Sequence, residues 1–264
     1  MSRAATITIT NPYEPFGTFG GVTFWPGGLT LVAAEPGIGK TSWLLRMVRE
    51  ASIQGFDAVL GCYEHTDSEL YYRARLQALA AVAGPHGEAD VSQIENESAR
   101  ASRMVLLPLS EDVTIRALEK RLLEDYQFPD DKPTLIAVDY LNCIPVIGIG
   151  AALSREDRSG AAAAQLREMA KRHNWAVVAA AALDKSSFDK AFNLAALFGD
   201  ERVPYRADRV FFMQRKEEKP RACGCIRLKV EVPKDRTAFV REYELDFWGS
   251  RFYPGLPDEF IKHD

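Results

Sequence analysis

The stretch Ala34-Glu-Pro-Gly-Ile-Gly-Lys-Thr41 constrains the fold most, because of what stands on either side of it. The run Leu29–Ala34 has the apolar, β-branched composition of a buried strand, and Thr41–Gln54 carries apolar residues at helical spacing. A strand that passes through a glycine-containing turn directly into a helix opens a βαβ unit. In such a turn Gly37 and Gly39 let successive backbone N–H groups converge on an anion at the helix N-terminus, where the dipole also favours negative charge. The segment therefore reads as a phosphate-binding loop with Ala34 in place of the usual first glycine. Glu35, Pro36, Gly37, Ile38, Gly39, Lys40, Thr41 and Ser42 are expected to contact ATP. Lys40 would reach the β and γ phosphates, and the Thr41 hydroxyl would bind Mg²⁺.

The rest of the chain repeats the alternation. Further strands are expected at Ala58–Tyr63, Met104–Leu109, Leu135–Asp139, Ala176–Ala181 and Arg209–Gln214, with helices at Asp67–Ala83, Val113–Glu124 and Gly160–Arg172. Strands alternating with helices predict an α/β domain with a mostly parallel twisted sheet. After Cys225 the pattern changes to Ile226–Val232, Phe239–Phe247 and Arg251–Tyr253, expected as antiparallel strands closing the sheet. With 264 residues, the chain is long enough to bury a core without disulfides or metal staples. Its four cysteines are scattered, and Cys223-Gly-Cys225 is too tight for a zinc knuckle, so reduced thiols are expected. A net charge of −4 excludes a globally basic surface, leaving any nucleic-acid contact to local loops. The longest uncharged apolar run, Trp175–Leu183, is far short of the roughly 20 residues of a membrane-spanning helix. The polar start MSRAATITIT has no signal-peptide core, so a cytoplasmic location with no membrane contact is expected.

A phosphate loop needs a carboxylate for its metal, and Asp139 ends the apolar run Leu135-Ile-Ala-Val. An ionised carboxylate there is costly unless it faces a cation, so Asp139 is assigned with Thr41 to the metal. Glu64 follows the strand Ala58–Tyr63. If that strand neighbours the phosphate-loop strand, Glu64 can activate the attacking water as general base.

Leu29–Thr41, Glu64 after its strand, Asp139-Tyr-Leu-Asn142, Lys234-Asp-Arg236 and Trp248-Gly-Ser-Arg-Phe252 together resemble the RecA-type ATPase domain of DnaB-like replicative helicases. The resemblance runs from about Phe19 to Tyr253, and Gly199 through Tyr205-Arg-Ala-Asp208 is similar to the segment before the next core strand in that family. It implies a RecA-like core over 19–254, with 1–18 as an extension or interface arm and 255–264 as a tail. It also implies a homo-oligomeric ring, expected as a hexamer, with ATP between subunits and single-stranded DNA in the channel. Carried over by position, Lys234 and Arg236 would reach the γ-phosphate of the neighbouring subunit and join Lys40 and Glu64 as catalytic residues. Because the chain begins almost at that core, a stand-alone motor from a plasmid, phage or other mobile element is expected. A replication or mobile-element protein would be its further partner.

The family pattern has Gln where this chain has Asn142, and a Ser-Gln pair where Ala181 and Ala182 stand. Those positions sense the γ-phosphate and signal towards DNA in the family, so the departures point to altered coupling. The expected channel loops are Asn142–Arg158 and Asp184–Arg206. The second carries Lys185, Lys190, Arg202 and Arg206 with Phe188, Phe192 and Phe198, cations and aromatics of the kind that track a single strand. Lys185, Phe188, Lys190 and Arg202 are the DNA candidates. The competing expectation is a regulatory or assembly ATPase that acts on a protein partner without helicase activity.

Overall fold

The computed structural model describes residues 7–9, 22–128, 134–146, 154–188, 192–217, 219–221, 224–235 and 241–255. The strands are β1 (Ile7–Ile9), β2 (Val22–Phe24), β3 (Leu29–Ala34), β4 (Asp57–Cys62), β5 (Met104–Pro108), β6 (Thr134–Asp139), β7 (Ala176–Ala181), β8 (Arg209–Arg215), β9 (Ile226–Asp235), β10 (Arg241–Trp248) and β11 (Tyr253–Gly255). The helices are α1 (Lys40–Ile53), α2 (Asp67–Ala83), α3 (Val91–Ala99), α4 (Ile115–Glu124), α5 (Arg155–His173) and the short α6 (Arg202–Arg206). The pair β1 and β2 forms a small antiparallel ribbon, and the other strands form one sheet in the order β11-β10-β9-β8-β3-β7-β6-β4-β5. From β8 to β5 neighbouring strands are parallel; β9, β10 and β11 continue the sheet antiparallel. The expected α/β architecture, with antiparallel strands at the C-terminal end, is the one observed.

Both faces of the sheet are covered, which is why its parallel strands read as continuous apolar runs. Along β3, Val32 and Ala34 pack on the face that holds Trp43, Leu44 and Met47 of α1. Leu29, Leu31 and Ala33 pack on the other, against Leu166 and Met169 of α5 and, further along, Leu118 and Leu122 of α4. Buried polar pairs fix the helices: within α1 Arg46 pairs with Glu50 at 2.8 Å, and Arg49 ties α1 to Glu97 of α3, both arginines being buried.

Several elements differ from the sequence expectation, each for a local reason. The strand β4 is not beside β3, because β7 and β6 lie between them. The helix α5 starts before Gly160, at Arg155, because the Ser154 side chain caps it by accepting the Asp157 N–H at 3.0 Å. Arg158 is therefore helical and not on a loop. Thr114 caps α4 in the same way, so the helix starts at Ile115 and not Val113. The helix α3 has no counterpart in the sequence expectation, since it is mostly polar and buries no residue. It is held by α2, by the Arg49–Glu97 pair and by a reciprocal capping box between Asp90 and Gln93. Gly249–Arg251 forms a 3₁₀ turn, and the last strand begins only at Tyr253, after Phe252 reverses the chain in the left-handed conformation. In the expected channel loops, Leu141–Cys143, Lys185–Ser187 and Leu194–Ala196 are 3₁₀ turns, while 147–153 and Lys190 lie outside the described residues.

One carboxylate fastens the start of β3 to its neighbours. Asp208 accepts the Leu29 N–H at 2.8 Å and pairs with Arg167 of α5 at 3.0 Å. Asp208→Ala leaves both donors without this acceptor and should lower the unfolding free energy by about 1.5–3 kcal/mol. Urea denaturation measures this, and an unchanged midpoint would mean that the clamp contributes nothing.

Candidate active site

Because β3, β4, β6 and β7 are parallel, their last residues lie along one edge of the sheet, and the segments that follow them meet there. Gly37 has φ +78° and Gly39 φ +111°, values that L side chains rarely adopt. At Gly39 a Cβ would also come within 3.2 Å of the Phe247 ring, so a side chain there would press on that ring as well as strain the backbone. Gly39 is the N-cap of α1, whose first turn has no side-chain cap and no acidic residue. Its N–H groups thus point from a positive dipole end that no acidic side chain of the same turn caps. The Lys40 ammonium donates to the carbonyls of Ala34 at 2.9 Å and Glu35 at 3.2 Å. Burial lowers its pKa, against the raising influence of Asp139, Glu64 and Glu35.

The Thr41 hydroxyl donates to Asp139 Oδ2 at 2.6 Å, joining the start of α1 to the end of β6. Asp139 is 1% exposed. The Cys62 thiol, its pKa pushed up to about 12 by burial and by Asp139, stays neutral and donates to the same oxygen at 3.6 Å. Among the described residues Asp139 has no ion-pair partner, only these two neutral donors. A buried carboxylate so placed beside a hydroxyl is a fitting donor set for a hard divalent cation. Glu64, His65 and Asp139 each bring a ligand atom within 4.8 Å of the others. Much of the Glu64 side chain is open to solvent, yet the walls around its carboxyl remove enough water to raise its pKa, and Asp139 raises it further. The capping box of Thr66 and Glu69 starts α2 directly after Glu64 and His65 and so fixes where both emerge.

These groups open into a cleft of about 1020 Å³. Its walls include Arg73 of α2, Tyr140, Asn142 and Cys143 after β6, Arg155 and Arg158 of α5, and Ala182 to Lys185 with Phe188 and Phe198 after β7. Phe247, Gly249 and Phe252 close the remaining side. The Arg73 guanidinium lies over the Phe252 ring at 4.3 Å. The Asn142 side chain is fixed at both ends: Oδ1 accepts the Ala182 N–H at 2.9 Å, and Nδ2 donates to the Ser159 hydroxyl at 2.8 Å.

The structure thus brings Pro36, Gly37, Gly39, Lys40, Thr41, Ser42, Glu64, Lys185 and Phe188 to one cleft, with Asp139 directly behind Thr41. Glu64 arrives there although its strand is not adjacent to β3. Ile38 turns into the core at 6% exposure, leaving its backbone to the loop. Phe192, grouped in sequence with Phe188 and Phe198 as an aromatic that could track a strand, is buried against Phe212. Arg202 is exposed and paired with Asp157 at 2.8 Å and with Asp200. Lys234 lies opposite Val210, near the start of β8 and therefore at the other edge of the sheet from this chain's phosphate loop, where it donates to the Pro204 carbonyl. Arg236 and Lys190 lie outside the described residues. His65, Arg73, Arg155, Arg158 and Phe247 are cleft residues that the sequence does not single out. Only His65 has a local signal, standing beside Glu64 just before Thr66-Asp-Ser-Glu69; the others reach the cleft through tertiary packing alone.

Strand order, phosphate loop and the Thr41–Asp139 contact define a P-loop domain of the RecA-like class. The model of the DnaB-like helicase C-terminal domain matches residues 19–252, and the chain belongs to that family. The replicative DNA helicase DnaB of Mycoplasma genitalium is 22% identical over 258 residues, covering 89% of this chain and 55% of that protein. The chain thus spans about half the length of that relative. Among solved structures, a DnaB-like replicative helicase studied with its interactions with primase aligns at TM-score 0.76 and 17% identity, over 89% of this chain and 60% of that one. The RadB recombinase aligns at TM-score 0.58 and 18% identity, over 90% of this chain and 93% of that one. At these identities the likenesses establish the shared fold.

The raised pKa of Glu64 has a consequence for stability. A carboxyl whose folded pKa exceeds its unfolded value binds protons more tightly in the folded state, so its ionisation costs stability as pH rises through that window. Glu64→Gln should therefore melt higher than the parent at neutral pH, and the gain should vanish once the pH falls below the ordinary glutamate range. Thermal melts across pH check this; a gain that persists unchanged in acid would assign it to another cause.

Proposed function

We propose that the chain is a Mg²⁺-dependent ATPase that works as a ring-shaped homo-oligomer, a hexamer, and moves along single-stranded DNA as a helicase motor. The observation that carries the ATPase reading is the Thr41–Asp139 hydrogen bond at the back of a cleft that also receives Lys40 and Glu64. In this reading the backbone of 35–42 cradles the phosphates, and Lys40 leaves its carbonyl partners for the β and γ oxygens. Thr41 and Asp139 hold the cation, which draws charge from the phosphate oxygens when bound. Glu64 takes a proton from water as the water oxygen bonds to the γ-phosphorus and the bond to the β-bridging oxygen breaks, giving ADP and phosphate.

Lys234 stands too far along β9 to serve its own cleft, which favours action on a neighbouring subunit's nucleotide, with Arg236 beside it in sequence. Such a site is complete only in an assembly, hence the ring. DNA would meet Lys185, Phe188, Lys190 and Arg202 on the segment that also lines the nucleotide cleft. None of the helices among the described residues is long and apolar enough to cross a membrane, and we place the motor in the cytoplasm.

A regulatory ATPase acting on a protein partner is the second reading. It is favoured by Asn142, whose side chain is held between Ala182 and Ser159 and is not free to follow a phosphate.

Lys40→Ala should bind ATP far more weakly and lose hydrolysis, whereas Glu64→Gln should bind ATP and scarcely turn it over. Equal loss of binding in both would remove Glu64 from the catalytic role, and parent-like hydrolysis by Glu64→Gln would refute it outright.

A salt series separates the two readings. In the presence of a non-hydrolysable ATP analogue, replacing Lys185 and Lys190 by Ala should weaken single-stranded DNA binding and flatten its log–log salt slope by about 0.7 per lost phosphate contact. Undetectable DNA binding by the parent at low salt would instead favour the regulator.

A further inference from the structure

Arg155 and Arg158 are among the cleft residues that have no part in the reading above. They sit three apart in the first turns of α5, on one face of the helix, and both line the nucleotide cleft. Both are exposed, and neither has an ion-pair partner among the described residues. Nearby arginines are committed elsewhere: Arg202 to Asp157 and Asp200, Arg167 to Asp208. Two such guanidinium groups facing a phosphate cleft have the planar donor forks that match phosphate oxygens.

The helix that carries them has little room to move independently of what lies behind it. The Ser159 hydroxyl accepts from Asn142 and donates to the Arg155 carbonyl at 3.1 Å. Gly160 packs so closely on Asp200 that a Cβ would come within 2.4 Å of its carboxylate. At Gly199 a Cβ would come within 3.0 Å of the Ser159 Cβ and 2.6 Å of Val203. Arg202 reaches back to Asp157 at 2.8 Å. The first two turns of α5 and residues 199–203 therefore form one close-packed unit, and such units shift together.

We infer that Arg155 and Arg158 bind the terminal phosphate of a nucleoside triphosphate from within the same chain, and that α5 carries its presence to residues 199–203. This rests on the ATPase reading and adds to it a γ-phosphate contact independent of Asn142 and of any neighbouring subunit. A diphosphate, lacking the terminal group, gives the two arginines nothing to hold.

The test uses the full chain with Mg²⁺, a fluorescent non-hydrolysable ATP analogue and ADP. Arg155→Ala/Arg158→Ala alters only exposed side chains, and its fold is checked by thermal melting. The variant should lose about tenfold or more in affinity for the triphosphate analogue and stay within about twofold of the parent for ADP, as expected for lost charge-assisted hydrogen bonds. Hydrogen–deuterium exchange at 199–203 should slow when the parent binds the analogue and should not respond in the variant. Equal losses for both nucleotides, no loss for either, or an unchanged exchange response in the variant would overturn the inference while leaving the ATPase reading intact. A parent chain that binds neither nucleotide would overturn both.

Discussion

The hydrogen bond from Thr41 to Asp139 is the contact on which the rest of the site depends. It spans 98 positions of sequence and requires that the first turn of α1 and the end of β6 reach the same point. With β7 inserted between β3 and β6, the contact bridges the ends of two strands that are neighbours neither in sequence nor in the sheet. It also gives a nearly inaccessible carboxylate two donors without neutralising it, since hydroxyl and thiol both stay uncharged. Opposing charge is therefore left to the cationic side chains of the cleft, Lys40 among them, and to whatever enters it. Burial first, and then the charge of Asp139, makes Glu64 resist ionisation, while the burial of Lys40 weakens its hold on a proton.

The parallel sheet imposes a second constraint. All the catalytic candidates from β3, β4 and β6 emerge at one edge, whereas the antiparallel β9 runs away from that edge and carries Lys234 to the opposite one. One chain of this topology cannot bring Lys234 to its own phosphate loop without breaking its register with β8. Phe247 reaches the cleft by the reverse argument: β10 turns back, and its end returns to the phosphate-loop edge above Gly39.

Much of this was legible in the chain because it depends on local chemistry. The glycine-bearing turn that carries Lys40 and Thr41, and the charged Asp139 ending an apolar run, are signals contained within a few residues. The helix α3 was missed because it buries no residue and announces itself only by Asp90 and Gln93. The start of α5 was misplaced because Gly160 reads as a helix boundary, whereas its lack of a side chain answers to Asp200, distant in sequence but in contact in space. Arg155 and Arg158 were passed over with it, as parts of a loop. The strand adjacency expected for Glu64 failed because sequence order carries no information about which strand is inserted where.

Asn142 shows why a missing sensor residue does not decide between the two functional readings. Both ends of its side chain are engaged, so it cannot swing toward a phosphate, yet the engagement joins the end of β7 to the first turns of α5. A longer side chain at this position could respond by moving; the shorter one holds two elements together. The link so made is rigid, and in a close-packed interior a displacement of one linked element strains the other. Any signal from the cleft must then originate in groups free to engage a ligand, and those on this wall include the two arginines in the first turns of α5 and Lys185.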